Sequence, residues 1–139
     1  MSKTFKLQVV APDRPSIQEE VTSVILPGGA GEFGVLPQHM PLISTLKAGT
    51  MEVTKSGVKE FYFIAGGFVE VNPTSVIVLA EEYEKSDEVD VPRAQMSKKQ
   101  AQEKLAEKKE GMDVTKEKHA LARNEARLLT VEKAKSFKK

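Results

Sequence analysis

The chain has 139 residues, 40% of them hydrophobic, and no cysteine. That length allows one domain, or a small domain with an appendage, around a real but small core. The missing cysteine excludes a disulfide framework, a thiolate metal site and a cysteine nucleophile, and it suits a reducing compartment. The formal net charge of +1 conceals a split. Residues 1–91 hold 7 Lys/Arg against 13 Asp/Glu, a balance of −6, and residues 92–139 hold 14 against 7, a balance of +7. Two parts with different surfaces and different partners are expected. The opening MSKTFKLQVVAPDR has no long apolar run and no small-residue cleavage site, so no signal peptide is expected, and no stretch approaches a membrane span.

Phe5, Leu7 and Val9 alternate with Lys6 and Gln8, which predicts a half-buried strand. Pro12-Asp13-Arg14-Pro15 reads as a turn. A strand over 17–26, closed by Pro27-Gly28-Gly29, is expected to be buried on both faces. Gly28 to Leu46, GGAGEFGVLPQHMPLISTL, packs glycine, proline and small apolar runs into a stretch with almost no charge. Tight turns between short strands at Glu32–Leu36 and Pro41–Leu46 are expected there, not a helix. Lys47-Ala48-Gly49 turns the chain. Thr50–Lys55 and Val58–Ala65 read as a hairpin about Ser56-Gly57. Gly66-Gly67 marks a bulge or a close backbone approach before Phe68–Val71. A turn at Asn72-Pro73-Thr74 and a strand at Val76–Ala80 complete roughly eight to ten short strands, the pattern of a sandwich or barrel.

Beyond Val91 the composition turns to Ala, Lys, Glu, Gln and Leu, all strong helix formers. Asp90 suits an N-cap and Pro92 the first turn of a helix reaching about Lys109. Gly111 follows its end, and Asp113 caps a second helix from Val114 to about Lys133, with Ser136-Phe137-Lys138-Lys139 expected to fray. The apolar faces are thin: Ala94, Ala101 and Leu105 on the first helix, and Val114, Leu121 and Leu128 with Ala122, Ala126 and Leu129 on the second. At about 25 cal/mol per Å² such a seam contributes only a few kcal/mol, much of it cancelled by ordering. A stable β domain carrying a conditionally ordered helical arm is therefore expected.

The two histidines, His39 and His119, fall on different elements with no third ligand nearby, so no metal site is expected. No serine has a G-x-S-x-G setting and no glycine cluster ends in lysine-serine/threonine, so no catalytic residue is assigned. Glu81, Glu82, Glu84, Asp87, Glu88 and Asp90 read as a solvated linker that also favours the positive end of the first helix. Arg93, Gln100, Lys104 and Lys108 share one stripe, and Lys116, Ala120, Arg123 and Arg127 another. Arginines at i, i+4 suit bidentate carboxylate or phosphate contact. A free-standing module gripping nucleic acid or an acidic protein is the alternative reading, weakened for nucleic acid by interspersed acids and the lack of aromatics.

Gly31, Glu32, Gly34, Leu36, Pro37, His39, Pro41 and Leu42 resemble the GE-x-G-x-L/Y-P-G-H-x-P-L signature of the ε subunit of F-type ATP synthases, with Gln38 where that family usually has glycine. Gly66–Val71 resembles its SGG-F/I-L/V-E-V segment, and Val76–Ala80 its V-T-V/I-L-A strand. The resemblance covers nearly the whole chain. It implies an α+β fold: a flattened ten-stranded β-sandwich over 1–86, and a mobile, regulatory antiparallel two-helix hairpin over 87–139. It implies a non-catalytic rotor subunit that couples the γ subunit to the c-ring. Gly31, Glu32, Phe33 and Gly34 would form the loop facing the c-ring, and His39, Met40 and Pro41 would face γ. The hairpin would permit turnover when folded down and block ATP hydrolysis when extended, with Arg123 and Arg127 meeting an acidic segment of the β subunit beside α. The implied location is peripheral, on the cytoplasmic face of the bacterial inner membrane, with membrane contact only through the complex.

Some bacterial members bind ATP through an I/L-D-x-x-R-A motif. Here it reads Val89-Asp90-Val91-Pro92-Arg93-Ala94, and Glu84, Arg123 and Arg127 match further positions of that site. Gln100 replaces a basic residue, with Lys99 adjacent, and Pro92 falls in the first turn. In this reading ATP is a regulatory ligand, not a required cofactor: Arg93, Arg123 and Arg127 hold phosphates and Asp90 fixes ribose, base or an arginine. The other reading is that Asp90 only caps the helix and Arg93 is its surface neighbour.

Overall fold

The computed structural model describes residues 3–107 and 110–137. Ten strands come first: β1 Phe5–Ala11, β2 Arg14–Val21, β3 Ser23–Gly28, β4 Gly31–Val35, β5 Leu42–Leu46, β6 Gly49–Lys55, β7 Val58–Ile64, β8 Gly67–Val71, β9 Ser75–Ala80 and β10 Tyr83–Lys85. A 3-10 turn at Ser86–Glu88 leads to α1, Val91–Glu107, and α2, Val114–Phe137. The strands form one sheet in the order β10-β7-β6-β3-β5-β8-β9-β1-β2, with β4 paired to β3. Only β1 and β9 run parallel among these pairings. β3 serves both halves, since Ser23–Ile25 pair with β6 while Gly28 meets Leu46 of β5. The sheet folds over a single core of alternate residues, including Phe5, Leu7, Val9, Val24, Leu26, Met51, Val53, Val69, Val71, Val76 and Val78. It is a β-sandwich of ten strands followed by two helices, as expected.

The strand expected over 17–26 is two strands. They part at Thr22, whose N–H and Oγ1 both donate to the Thr54 carbonyl, at 2.8 and 3.0 Å. The tight turn before β2 is Pro12-Asp13 alone, because Arg14 and Pro15 already belong to the strand. Burial on both faces occurs instead at Phe61-Tyr62-Phe63-Ile64 of β7. One side of that run faces the core, and α2 packs on β7 and β6 from outside. At Gly67, φ is +132°, and a Cβ would collide with the Leu79 carbonyl oxygen, the close approach expected of the double glycine. Gln38 takes φ of +65°, the left-handed conformation that explains a glycine preference at its position.

β10 was not expected, and it draws half of the acidic run into the fold. Tyr83 is buried, and its hydroxyl donates to the Pro15 carbonyl at 2.9 Å. Arg14 lies 4.2 Å over the Tyr83 ring, donates to the Tyr83 carbonyl at 3.0 Å and pairs with Glu88 at 3.2 Å. The segment is thus fastened to β2 up to Glu88, rather than solvated as a linker.

α1 packs chiefly on α2, which lies between it and the sheet. α1 buries Ala94 and Ala101 as expected, and its predicted end at Lys109 lies outside the described residues. α2 differs more. Its buried residues are Asn124, Ala126, Thr130, Val131 and Ala134, while Val114, Ala122 and Leu129 are exposed. Of the expected face Ala126 is buried and Leu121 and Leu128 are half-buried, and the rest of the seam is partly polar. Thr130 Oγ1 lies 2.7 Å from Thr50 Oγ1 of β6 and donates to the Ala126 carbonyl at 2.8 Å. α2 also runs past Lys133 to Phe137, whose ring sits 6.0 Å from Phe61 under the Lys59 ammonium at 4.8 Å. Ser136 and Phe137 are thus helical where fraying is expected, and Lys138 and Lys139 lie outside the described residues.

Candidate ligand cavity and docking surfaces

β10, the start of α1 and the middle of α2 converge on one cavity of about 330 Å³. It is lined by Glu82, Glu84, Asp90, Arg93, Ala94, Ser97, Arg123, Asn124 and Arg127. All five residues singled out in the sequence, Glu84, Asp90, Arg93, Arg123 and Arg127, are in it. Each position has a local cause. Asp90 caps α1, its Oδ1 accepting from the Arg93 N–H at 3.1 Å, and this sets Arg93 on the first turn. Arg123 and Arg127 follow one another by a single turn of α2. Glu84 is held by the register Glu84↔Phe63 between β10 and β7.

The electrostatics are uneven. Arg127 is mostly buried and fully engaged: Nε donates to Glu84 Oε1 at 2.6 Å, Nη2 to Glu82 Oε1 at 2.8 Å and Nη1 to Asn124 Oδ1 at 3.0 Å. Its guanidinium lies 4.5 Å over the Phe63 ring. Among the described residues the side chains of Arg93 and Arg123 make no hydrogen bond or ion pair. Three carboxylates and three guanidiniums line the walls, but two of the acids sit on one arginine. What remains is a pair of uncommitted cations facing a polar cleft, an arrangement suited to a ligand with more than one anionic oxygen. Glu82 and Asn124 were missed in the sequence. Glu82 stands 45 positions before its partner, and a helical Asn reads as a surface residue.

The two surfaces expected to meet partners have different characters. Gly31, Glu32, Phe33 and Gly34 are not a loop but strand β4, paired with β3 from Gly28↔Gly31 to Val24↔Val35, and only Gly29-Ala30 forms the hairpin tip. Glycine there serves a tight two-stranded ribbon. Glu32 is exposed and lies 3.9 Å from Lys133 of α2, while Phe33 packs against the core. His39, Met40 and Pro41 connect β4 to β5, with His39 Nδ1 donating to the Met40 carbonyl at 2.8 Å and Met40 78% exposed. Next to them the outer face of the sheet carries an apolar strip. Phe68, Leu79 and Val10 stand side by side across β8, β9 and β1, while in the next row Glu70 stands between Ile43 and Ile77. Phe68, Leu79 and Ile43 are each more than half exposed. Period two in β8 and β9 carried this signal, since every second residue must point away from the core.

Among the described residues no group of three or more His, Cys, Asp or Glu could hold a metal ion, and no helix is long and apolar enough to cross a membrane.

The class the fold defines is a ten-stranded β-sandwich with an apolar strip on its outer face and two C-terminal helices packed on β6 and β7. Comparison with known proteins gives the family. Family models of the ATP synthase delta/epsilon chain match the beta-sandwich domain over residues 4–86 and the long alpha-helix domain over 87–132. The chain belongs to the ATP synthase delta/epsilon family, on its epsilon side. The ATP synthase epsilon chain of Desulfitobacterium hafniense is 42% identical over 128 residues, which cover 92% of this chain and 96% of that one. The epsilon chain of Syntrophobacter fumaroxidans is 39% identical over 133 residues, 96% of this chain and 99% of that one. A chain in the Euglena gracilis mitochondrial ATP synthase, solved as OSCP/F1/c-ring, superposes with a TM-score of 0.83 at 26% identity, covering 93% of this chain and 82% of that one.

Proposed function

We propose that this chain is a non-catalytic rotor subunit whose helical hairpin is a nucleotide-sensing brake on ATP hydrolysis. The sandwich holds the γ subunit through His39, Met40, Pro41 and the adjoining apolar strip, and holds the c-ring through the β3–β4 ribbon around Glu32. The hairpin, docked on β6 and β7, permits turnover. Extended along γ, it brings Arg123 and Arg127 to an acidic segment of the β subunit and stops hydrolysis. ATP in the cavity bridges α1, α2 and β10, and so favours the docked state. The whole acts on the cytoplasmic face of a bacterial inner membrane.

One observation carries this reading. Five residues spread from 84 to 127, marked in the sequence by their match to an ATP-binding pattern, line a single cavity that exists only while the hairpin is docked. Ligand that binds only the docked state stabilises it by about 2.7 kcal/mol at a hundred times its dissociation constant. A switch whose two states lie within a few kcal/mol is moved by that amount. The departures from the pattern are compatible with it. Pro92 lies inside α1 without disturbing the cap, and Gln100 is not among the lining residues.

The test is calorimetric titration of the full chain with ATP beside an Arg93→Ala, Arg123→Ala double variant. Saturable binding that the variant loses is the expected result. Heat-silent titration to millimolar ATP would leave Asp90 as a cap and Arg93 as its surface neighbour.

A further inference from the structure

Arg127 does not meet the cavity as a bare cation. Glu82 and Glu84 each accept a hydrogen bond from it, so the guanidinium and its two partners together carry one excess negative charge. The two acids are not equivalent. Glu84 is fixed in β10 and its side chain is 26% exposed, whereas Glu82 precedes the strand and is 49% exposed. Glu82 can turn into water at little cost, and Glu84 cannot leave without breaking a more buried pair.

We propose that Glu82 is an internal competitor for the anionic ligand of this cavity. It holds the outer nitrogen of Arg127 when no anion is bound and yields it to a phosphate oxygen of a nucleoside triphosphate. It thereby sets the nucleotide concentration at which the hairpin responds. This rests on the nucleotide reading above and adds to it the residue that determines affinity. The exchange is one N–H···O contact for another, and Glu82 remains ionised and hydrated after release. A carboxylate left beside the phosphate chain also repels it, so both effects of Glu82 act against binding.

The same contact ties α2 to the end of β10, which makes the outcome diagnostic. If Glu82 only fastened the hairpin, removing its charge would loosen the cavity and weaken binding. If it competes, removing its charge strengthens binding. ATP is titrated calorimetrically into the full chain, into Glu82→Gln and into Glu81→Gln. Glu81 is adjacent and carries the same charge, but it lies outside the cavity. Glu82→Gln is expected to tighten ATP about threefold to fivefold, the range of a solvent-screened ion pair, and Glu81→Gln by less than about twofold. Measurable binding by Glu82→Gln alone would support the proposal equally. Unchanged or weaker binding by Glu82→Gln beside a wild type that binds would overturn it and leave the nucleotide site standing. Equal tightening by both variants would overturn it too, as bulk charge. No binding by any of the three would remove the nucleotide reading and this proposal with it.

Discussion

α2 meets the sheet through a buried pair of hydroxyls, and that pair makes an asymmetric prediction. Thr130 is 0% and Thr50 5% exposed, with 2.7 Å between their oxygens. Thr130 gives its one proton to the Ala126 carbonyl, so Thr50 must donate to Thr130. Thr50→Val therefore removes a donor and strands nothing, at a cost of about 0.5–1.5 kcal/mol. Thr130→Val leaves the Thr50 hydroxyl without an acceptor in a dry seam, which costs about 1–3 kcal/mol. Threonine and valine have similar helix propensities, so that difference does not confuse the comparison. With both replaced, two methyl-bearing side chains of the same shape meet, and the cost falls to nearly zero or reverses. The readout is hydrogen exchange of α2 amides near residue 130, which reports local opening. A loss of about 2 kcal/mol in Thr130→Val speeds exchange roughly thirtyfold, and the double variant restores it. Equal effects of the two single changes, or a double variant equal to their sum, would refute this account of the seam. The seam matters to a switch because both hydroxyls hydrate when the helix leaves, so polar contact specifies the docked register with little net hold.

Gln38→Gly is expected to stabilise the sandwich by about 1 kcal/mol, because glycine takes a positive φ without the Cβ penalty; urea unfolding checks it. Phe137→Ala removes a half-exposed ring from Phe61 and Lys59, and should cost about 1 kcal/mol and speed exchange only in the last turns of α2. The Lys85 backbone N–H, with the Arg14 guanidinium beside it and desolvation opposing, holds the Glu88 carboxyl below its usual range. Stability from a depressed carboxylate is present above its unfolded value of about 4.3 and is lost as pH falls through the folded one. Thermal unfolding should therefore lose less on acidification below about pH 4 in Glu88→Gln than in the wild type.

Much of the architecture was legible because local rules and tertiary burial agree. Alternation in Phe5–Ala11 and the Ser56-Gly57 turn each specify their element alone, and Ser56 and Gly57 both take positive φ as a tight hairpin requires. The misreadings have physical causes. Residues 17–26 look like one strand because Thr22, a good strand former, breaks it through two hydrogen bonds to Thr54 rather than through Gly or Pro. β10 is three residues with two charges, and it exists because Tyr83 is buried and Arg14 clasps it. The contact face of α2 is only partly legible, through Ala126, Leu121 and Leu128, because Asn124 and Thr130 are polar and paired within the seam. In the candidate site the identities of Asp90, Arg93, Arg123 and Arg127 were visible as a pattern. The state of Arg127 was not, since its carboxylate partners lie more than 40 residues away.

The most direct measurement is ATP hydrolysis by the assembled synthase containing either the full chain or one lacking residues 92–139. A brake carried by the hairpin predicts that the shortened chain still joins γ and the c-ring and that hydrolysis rises. Unchanged hydrolysis in a complex that has retained the shortened chain would contradict it.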